Sequence, residues 1–367
     1  MEILRAKTID LRQTGPLTPE REENSRLNER EALEGAEQLL SCPRRLVLEL
    51  TSACNLRCVM CGRNAASFRP TVFDTEWLKV MEPMVSRIEE VTLMGWGEPT
   101  IHPRFPYFLQ WAHHLGLRKY FCTNGMRLKE LEDDIFAFQA DIIAVSLDGA
   151  NRRTNEEIRR GADFTRIIGG LEKISNRRAR EGRPYPYLNF VFTAMNRNIR
   201  ELPEVVKLAA ELGLDEVKAV YFTAFDAAMD KETLYGHREL VSEIFGLSAE
   251  LAASMGVSLK LPHLQGDDPA GEACHKTCYT AWRDLFLGSD GAFRPCMSTA
   301  RKFFQVDDYK TFEEIWNSPE IRAHRCTVNT DQMNDCCRNC YQSSYANWNR
   351  PESFNQSGLE FAPEWDS

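Results

Sequence analysis

Leu48-Glu49-Leu50-Thr51-Ser52-Ala53-Cys54-Asn55-Leu56-Arg57-Cys58-Val59-Met60-Cys61 is the stretch on which the fold turns. The apolar run over residues 45–51 (RLVLELT) reads as a buried strand, and the loop that follows it holds three thiols. Three close thiolates can hold an iron–sulfur cluster. The four-iron form normally takes four cysteines, so a set of three leaves one iron open, as catalytic metal sites keep a free position. The other reading of the spacing is a structural zinc site with a fourth ligand from elsewhere in the chain.

Outward from this loop the pattern is regular. Apolar, β-branched runs at 45–51, 89–95, 118–122, 141–147, 187–194 and 215–222 predict strands. Helical patterns lie between them near 75–86, 105–115, 127–138, 164–177 and 201–213, with one more near 235–255. Such alternation argues for an α/β fold with a parallel sheet of βα units. Six units fit a partial or full barrel, whose functional groups belong at the C-terminal strand ends. Periodicity does not choose between a barrel and an open sheet. Residues 1–44 are polar and highly charged, with an amphipathic helix expected over 24–40 and Cys42 an ordinary thiol at its end.

The chain of 367 residues is 43% hydrophobic, enough for one large domain and a smaller one. A formal net charge of -9 without a Lys/Arg-rich block gives no support to a nucleic-acid partner. No apolar run is long enough to span a bilayer and no signal segment follows Met1, so a soluble, cytoplasmic protein is expected. In a reducing compartment the twelve cysteines point to metal or redox chemistry rather than disulfides. Seven of them fall between 274 and 340, in a region without helical periodicity that begins near 258 and contains a hairpin over 282–295 with an Asp290-Gly291 turn. The expected organisation is an extension over 1–44, a core over 45–257, a cysteine-rich domain over 258–345 and an aromatic tail over 346–367.

Cys-x3-Cys-x2-Cys after the first strand resembles the signature of the radical S-adenosylmethionine (SAM) superfamily. The resemblance implies a partial (β/α)6 barrel, a 4Fe-4S cluster on Cys54, Cys58 and Cys61, and an open iron that chelates the amino and carboxylate groups of SAM. Met60 then lies near the adenine. Gly95-Trp96-Gly97-Glu98-Pro99 is similar to the family's Gly-Gly-Glu-Pro, which binds the SAM amino group. Gly95 and Gly97 are expected to let the backbone approach the ligand, and Glu98 to offer an acceptor for the ammonium; Trp96 departs from the pattern. Thr123-Asn124-Gly125 resembles a further element near the ligand. Ser146-Leu147-Asp148-Gly149 closes the fourth strand where the family uses the serine for ribose or methionine contacts. Arg160 is the candidate for the SAM carboxylate. The resemblance covers roughly residues 45–225.

Cys278, Cys296, Cys337 and Cys340 resemble the ligands of a SPASM or twitch auxiliary-cluster domain. No cysteine follows Cys340 in the sequence, and one 4Fe-4S cluster, as in the shorter twitch form, is expected. Fully ligated by four thiolates, it suits electron transfer. Cys336 could replace Cys337, and Cys274 could replace Cys278. A second auxiliary cluster from the leftover thiols, or zinc in place of iron, is the alternative. Tyr345, Trp348, Phe354, Phe361 and Trp365 either wrap over the barrel mouth or pack against the small domain.

The family chemistry is one-electron cleavage of SAM to a 5′-deoxyadenosyl radical that abstracts hydrogen from a substrate, with a flavodoxin- or ferredoxin-type electron donor. A single auxiliary cluster resembles the arrangement of an aminocyclitol dehydrogenase in the superfamily. The leading expectation is therefore a small-molecule substrate, a two-electron oxidation of a sugar, polyol or aminocyclitol. The alternatives are modification of a peptide or protein side chain, against which residues 1–44 look short for a peptide-binding module, and epimerisation with Cys122 as hydrogen-atom donor. Cys122 also reads as a buried small hydrophobe. An iron–sulfur electron carrier or a zinc-stabilised binding protein is the non-enzyme alternative.

Overall fold

Six apolar runs bounded by turns form parallel strands: β1 (Arg45–Leu48), β2 (Glu90–Leu93), β3 (Arg118–Thr123), β4 (Ile142–Ser146), β5 (Tyr187–Ala194) and β6 (Glu216–Tyr221). The computed structural model describes residues 16–65, 69–266, 277–299, 301–338, 340 and 350–357. Parallel neighbours need crossovers. These are α2 (Phe105–His114), α3 (Leu128–Ala137), α4 (Arg152–Ile158) with α5 (Phe164–Arg180), and α6 (Leu202–Glu211), after an N-terminal α1 (Pro19–Glu34). The crossover from β1 to β2 differs from the expected helix over 75–86. It is two 3₁₀ segments, Thr75–Val80 and Glu82–Arg87, broken at Met81 where Pro83 cannot continue the hydrogen-bond ladder.

α7 (Arg238–Met255) leads into β7 (Ser258–Lys260), which pairs in parallel with β6 and carries the barrel sheet to residue 260. The cysteine-rich region then joins the same sheet. After α8 (Thr280–Arg283), β8 (Asp284–Leu287) lies parallel to β1, with Arg45 opposite Asp284. β9 (Ala292–Arg294) and β10 (Phe304–Gln305) continue antiparallel, so the predicted hairpin is present. The ten strands run β10-β9-β8-β1-β2-β3-β4-β5-β6-β7, an unclosed sheet and hence a partial barrel. Beyond it lie α9 (Phe312–Trp316), α10 (Pro319–Thr327) and α11 (Asp335–Arg338).

Leu46, Leu48, Val91, Leu93, Phe121, Ile143, Val145, Phe190, Phe192, Val217 and Ala219 belong to one continuous apolar core with the crossover helices. Alternation sends the intervening side chains to the other face. That face carries polar groups, and Arg45, Cys122 and Glu216 lie close enough to act on both Tyr120 and Lys218.

α1 begins five residues earlier than predicted, at Pro19, and its buried face is polar: Arg21, Asn24, Ser25, Asn28 and Glu31. Asn24 bonds the carbonyls of Cys42 and Arg87, Asn28 that of Trp282, and Arg21 those of Leu115 and Gly116. The helix thus ties the core to α8 by hydrogen bonds rather than by an apolar stripe. Cys42 is a buried thiol held through its backbone by Asn24.

Of the C-terminal aromatics, Phe354 is buried against Tyr221 and Tyr235. Its segment is bonded to the end of β6 through Ala224 N–H to Phe354 O (2.9 Å) and Gln356 N–H to Ala224 O (2.8 Å). Tyr345, Trp348, Phe361 and Trp365 lie outside the described residues. Among the described residues no helix is long and apolar enough to cross a membrane.

Candidate active site

The three-cysteine loop leaves the C-terminal end of β1 and is laced to the segment after α4. Arg57 N–H donates to Arg160 O and Val59 N–H to Ile158 O, both at 2.9 Å. Cys61 lies close enough to Cys54 and Cys58 for its charge to be felt at both, and Cys54 is felt at Cys58. Burial pushes the Cys54 thiol up, and the Cys58 thiol up to about 11. The Leu56 N–H (3.4 Å) and the Asn124 amide (3.9 Å) both point at Cys54 Sγ.

Gly95-Trp96-Gly97-Glu98-Pro99 follows β2 and lies directly against residues 49–53. A β-carbon at Gly97 would stand 2.1 Å from Thr51 O and 2.4 Å from Ala53 O, and one at Gly95 would stand 2.3 Å from Glu49 Cγ. The glycines here admit the chain that leads into the cysteine loop. Trp96 sits edge-on to Phe225 from the end of β6, beside Gly62. Glu98 is buried, and its carboxylate is taken up within the protein. Oε1 accepts from Thr100 N (3.1 Å), Thr100 Oγ1 (2.5 Å) and Thr123 Oγ1 (2.6 Å), and Oε2 from Asn124 N (2.6 Å). Three of these donors crowd Oε1, and Oε2 keeps a lone pair beyond the bond from Asn124. Burial still pushes the Glu98 pKa up against these bonds. The arrangement braces the ends of β2 and β3 and sets Asn124 over Cys54.

Ser146, at the end of β4, lies 3.7 Å from Cys122 Sγ on the polar face. Burial raises the Cys122 thiol's pKa, while Ser146 opposes the rise. Met60 packs with Val59 and Met229 against Ile158, Met195, Phe222 and Ala224, a small apolar cluster separate from the main core. Arg160 is exposed and meets the loop through its carbonyl. The neighbouring Arg159 is buried instead. Its Nε bonds Asp148 Oδ2 at 2.6 Å and its Nη1 stands 4.0 Å from Cys58 Sγ.

Sequence reading missed Arg159 and Glu49. The only cue to the first was the Arg159-Arg160-Gly161 run, in which a helix phase one residue different exchanges the two arginines. Glu49 reads as the polar member of an alternating strand. In the structure its Oε1 accepts from Trp96 N (2.6 Å) and its Oε2 from Ser289 N (3.3 Å) and Ser289 Oγ (3.0 Å). It thereby ties the Gly95–Pro99 turn to the β8–β9 turn.

In the second cluster, burial pushes the Cys296 thiol well above its ordinary value, and Cys340 and Cys278 add to the rise. Cys337 likewise senses Cys296 and Cys278. Asn329 fixes Cys278 by bonds to its N–H (2.8 Å) and carbonyl (3.0 Å). Cys336 interacts with Cys337, Thr299 and Arg301, and Cys326 is exposed beside Glu37. Cys274 lies outside the described residues.

Both thiol sets fit iron–sulfur clusters. Each set offers soft thiolate donors of the kind that iron–sulfur clusters take.

Known proteins converge on this geometry. The radical SAM superfamily model matches residues 48–209, and the SPASM iron–sulfur cluster-binding domain model matches 278–341. Mycofactocin maturase MftC of Mycolicibacterium smegmatis is 31% identical over 185 residues, which is 49% of this chain and only 45% of that protein. The PqqA peptide cyclase of Gluconobacter oxydans is 28% identical over 321 residues, 82% of this chain and 84% of the relative. The structure of Streptococcus suis SuiB bound to S-adenosylmethionine superposes with a TM-score of 0.62 at 15% identity, covering 83% of this chain and 72% of that one, a likeness of fold. With its cysteine loop on a partial barrel and its second thiol set on the same sheet, the chain is a member of the radical SAM superfamily that uses SAM and 4Fe-4S clusters and carries a C-terminal SPASM domain.

Proposed function

We propose that the protein is a radical SAM maturase that modifies a peptide. The carrying observation is the match over more than four-fifths of both chains to a protein named as a peptide cyclase. Oxidation of a sugar, polyol or aminocyclitol, the leading expectation from the sequence, has no counterpart in these relatives, and peptide modification replaces it.

When bound and reduced, the core cluster supplies the electron that cleaves SAM. The chain's own residues do the rest. Cys54, Cys58 and Cys61 hold that cluster, and Asn124 and Arg159 support it from the protein side. Met60 and its apolar neighbours form the wall for the adenine, and Ser146 faces the polar lumen. Gly95, Gly97 and Glu98 shape the turn on which SAM rests, and Glu98 Oε2 is the acceptor for its amino group. Cys278, Cys296, Cys337 and Cys340 hold one auxiliary cluster, which accepts or relays electrons supplied by a flavodoxin- or ferredoxin-type donor in the cytoplasm. The unclosed sheet gives an extended substrate lateral access to the polar face.

The test is anaerobic reconstitution of the full chain and incubation with SAM, reductant and a short peptide encoded beside its gene. A mass change in the peptide with matching 5′-deoxyadenosine is the expected result. Ketone products from a polyol and aminocyclitol panel, with the peptide unchanged, would restore the oxidation of small molecules.

A further inference from the structure

Asp148 and Arg159 form a buried ion pair with no place in the expected SAM contacts. Asp148 is fully buried at the end of β4, where Oδ1 accepts from Thr193 N at 2.8 Å and Oδ2 from Arg159 Nε at 2.6 Å. The pair leaves Nη1 of the guanidinium 4.0 Å from Cys58 Sγ, and the backbone bond from Val59 to Ile158 fixes the loop against the same segment. The guanidinium thus meets Asp148 through Nε and presents Nη1 to the Cys58 sulfur. Burial in this site screens neither charge as bulk water would. Charge and hydrogen bonds at a ligand sulfur set a cluster's potential.

We infer that Arg159 is a positioning residue that sets the reduction potential of the core cluster through Cys58, and that Asp148 aims it and partly offsets its charge. Reduction adds an electron beside a fixed cation, so the arginine raises the potential and the aspartate lowers it. The inference rests on Cys58 being a ligand of that cluster.

The experiment is a potentiometric titration of the reconstituted full chain, followed by electron paramagnetic resonance. Only a cluster with an open iron changes its signal when SAM is added, which separates the core cluster from the auxiliary one. Arg159→Gln is expected to shift the midpoint of the SAM-responsive signal down, and Asp148→Asn to shift it up. Asp148→Asn/Arg159→Gln should fall between Arg159→Gln and the parent. The double variant replaces the ion pair by an amide pair and leaves no unpaired buried charge, so it guards against a folding failure in the single variants. Iron content and the auxiliary midpoint should not move. Unchanged midpoints, or single variants that shift in the same direction, would overturn the inference, as would loss of iron from a folded double variant. Cys58→Ala tests the ligand reading separately: retention of the SAM-responsive signal there would remove Cys58 from the cluster and overturn the inference at its premise, whereas unmoved midpoints in the charge variants would overturn it with the ligand reading intact.

Discussion

Gly97 has a β-carbon position 2.1 Å from Thr51 O, whereas Gly169 in α5 has nothing within 4 Å. Gly97→Ala must push the Gly95–Pro99 turn off the chain leading into Cys54, at a cost of about 1–3 kcal/mol typical of overpacking. SAM binding by equilibrium dialysis should fall with it. Gly169→Ala should raise stability by up to about 1 kcal/mol through helix propensity and leave SAM binding intact. Both glycines are equally plain in the sequence, and only the distance to a backbone oxygen separates them. The two arginines at 159 and 160 make the same point. A charged residue at the end of a short helix is legible, but the phase that buries one and exposes the other depends on where α4 stops.

At the scale of elements, α1 shows a helix whose buried face no hydrophobic pattern could reveal. Its buried positions recur with helical spacing, yet all but Ala32 are polar: Arg21, Asn24, Ser25, Asn28 and Glu31. Asn28 Nδ2 donates to Trp282 O at 2.7 Å and to Ser41 Oγ at 2.9 Å. Asn28→Ala strands these buried acceptors and should cost about 1–3 kcal/mol in denaturant unfolding. Leu33→Ala, at a position 57% exposed, should change stability by less than about 0.5 kcal/mol. An outcome with the larger loss at Leu33 would show that α1 is held by apolar contact after all. The strands and the amphipathic crossovers α2, α3, α5 and α6 were legible because each buries an apolar face. The 3₁₀ crossover was not, because Pro83 breaks a pattern whose apolar positions still repeat like a helix.

For the whole molecule, the decisive join is β1 against β8. Arg45 Nε bonds Asp284 Oδ1 at 2.9 Å across the strand pair that links the barrel to the SPASM hairpin, and the adjacent Arg283 Nε bonds the same oxygen at 2.9 Å. Burial pushes the Asp284 pKa up, but Arg283 and Arg45 outweigh it and hold the carboxyl well below the usual range. A carboxyl with a depressed folded pKa contributes stability above its unfolded value, near 3.9, which is lost as pH falls toward the folded one. Asp284→Asn leaves the partly buried Arg283 without this anion and Arg45 with Glu90 alone, at 3.8 Å, so a loss of about 3 kcal/mol is expected near neutral pH. The variant should also show a flatter decline of stability with acid than the parent. Equal slopes in urea titrations across the acid range would exclude Asp284 as the source.

The sequence by itself determined the parallel βα core and the Asp-Gly hairpin, because apolar periodicity and turn chemistry are local properties of the chain. The tertiary structure alone decided that the cysteine-rich region continues the barrel sheet through β8, that Glu98 bonds Thr100, Thr123 and Asn124, and that Arg159 rather than Arg160 reaches Cys58. Each of these depends on which polar groups meet after folding, and a buried charge chooses its partner through distances between segments that no local pattern encodes.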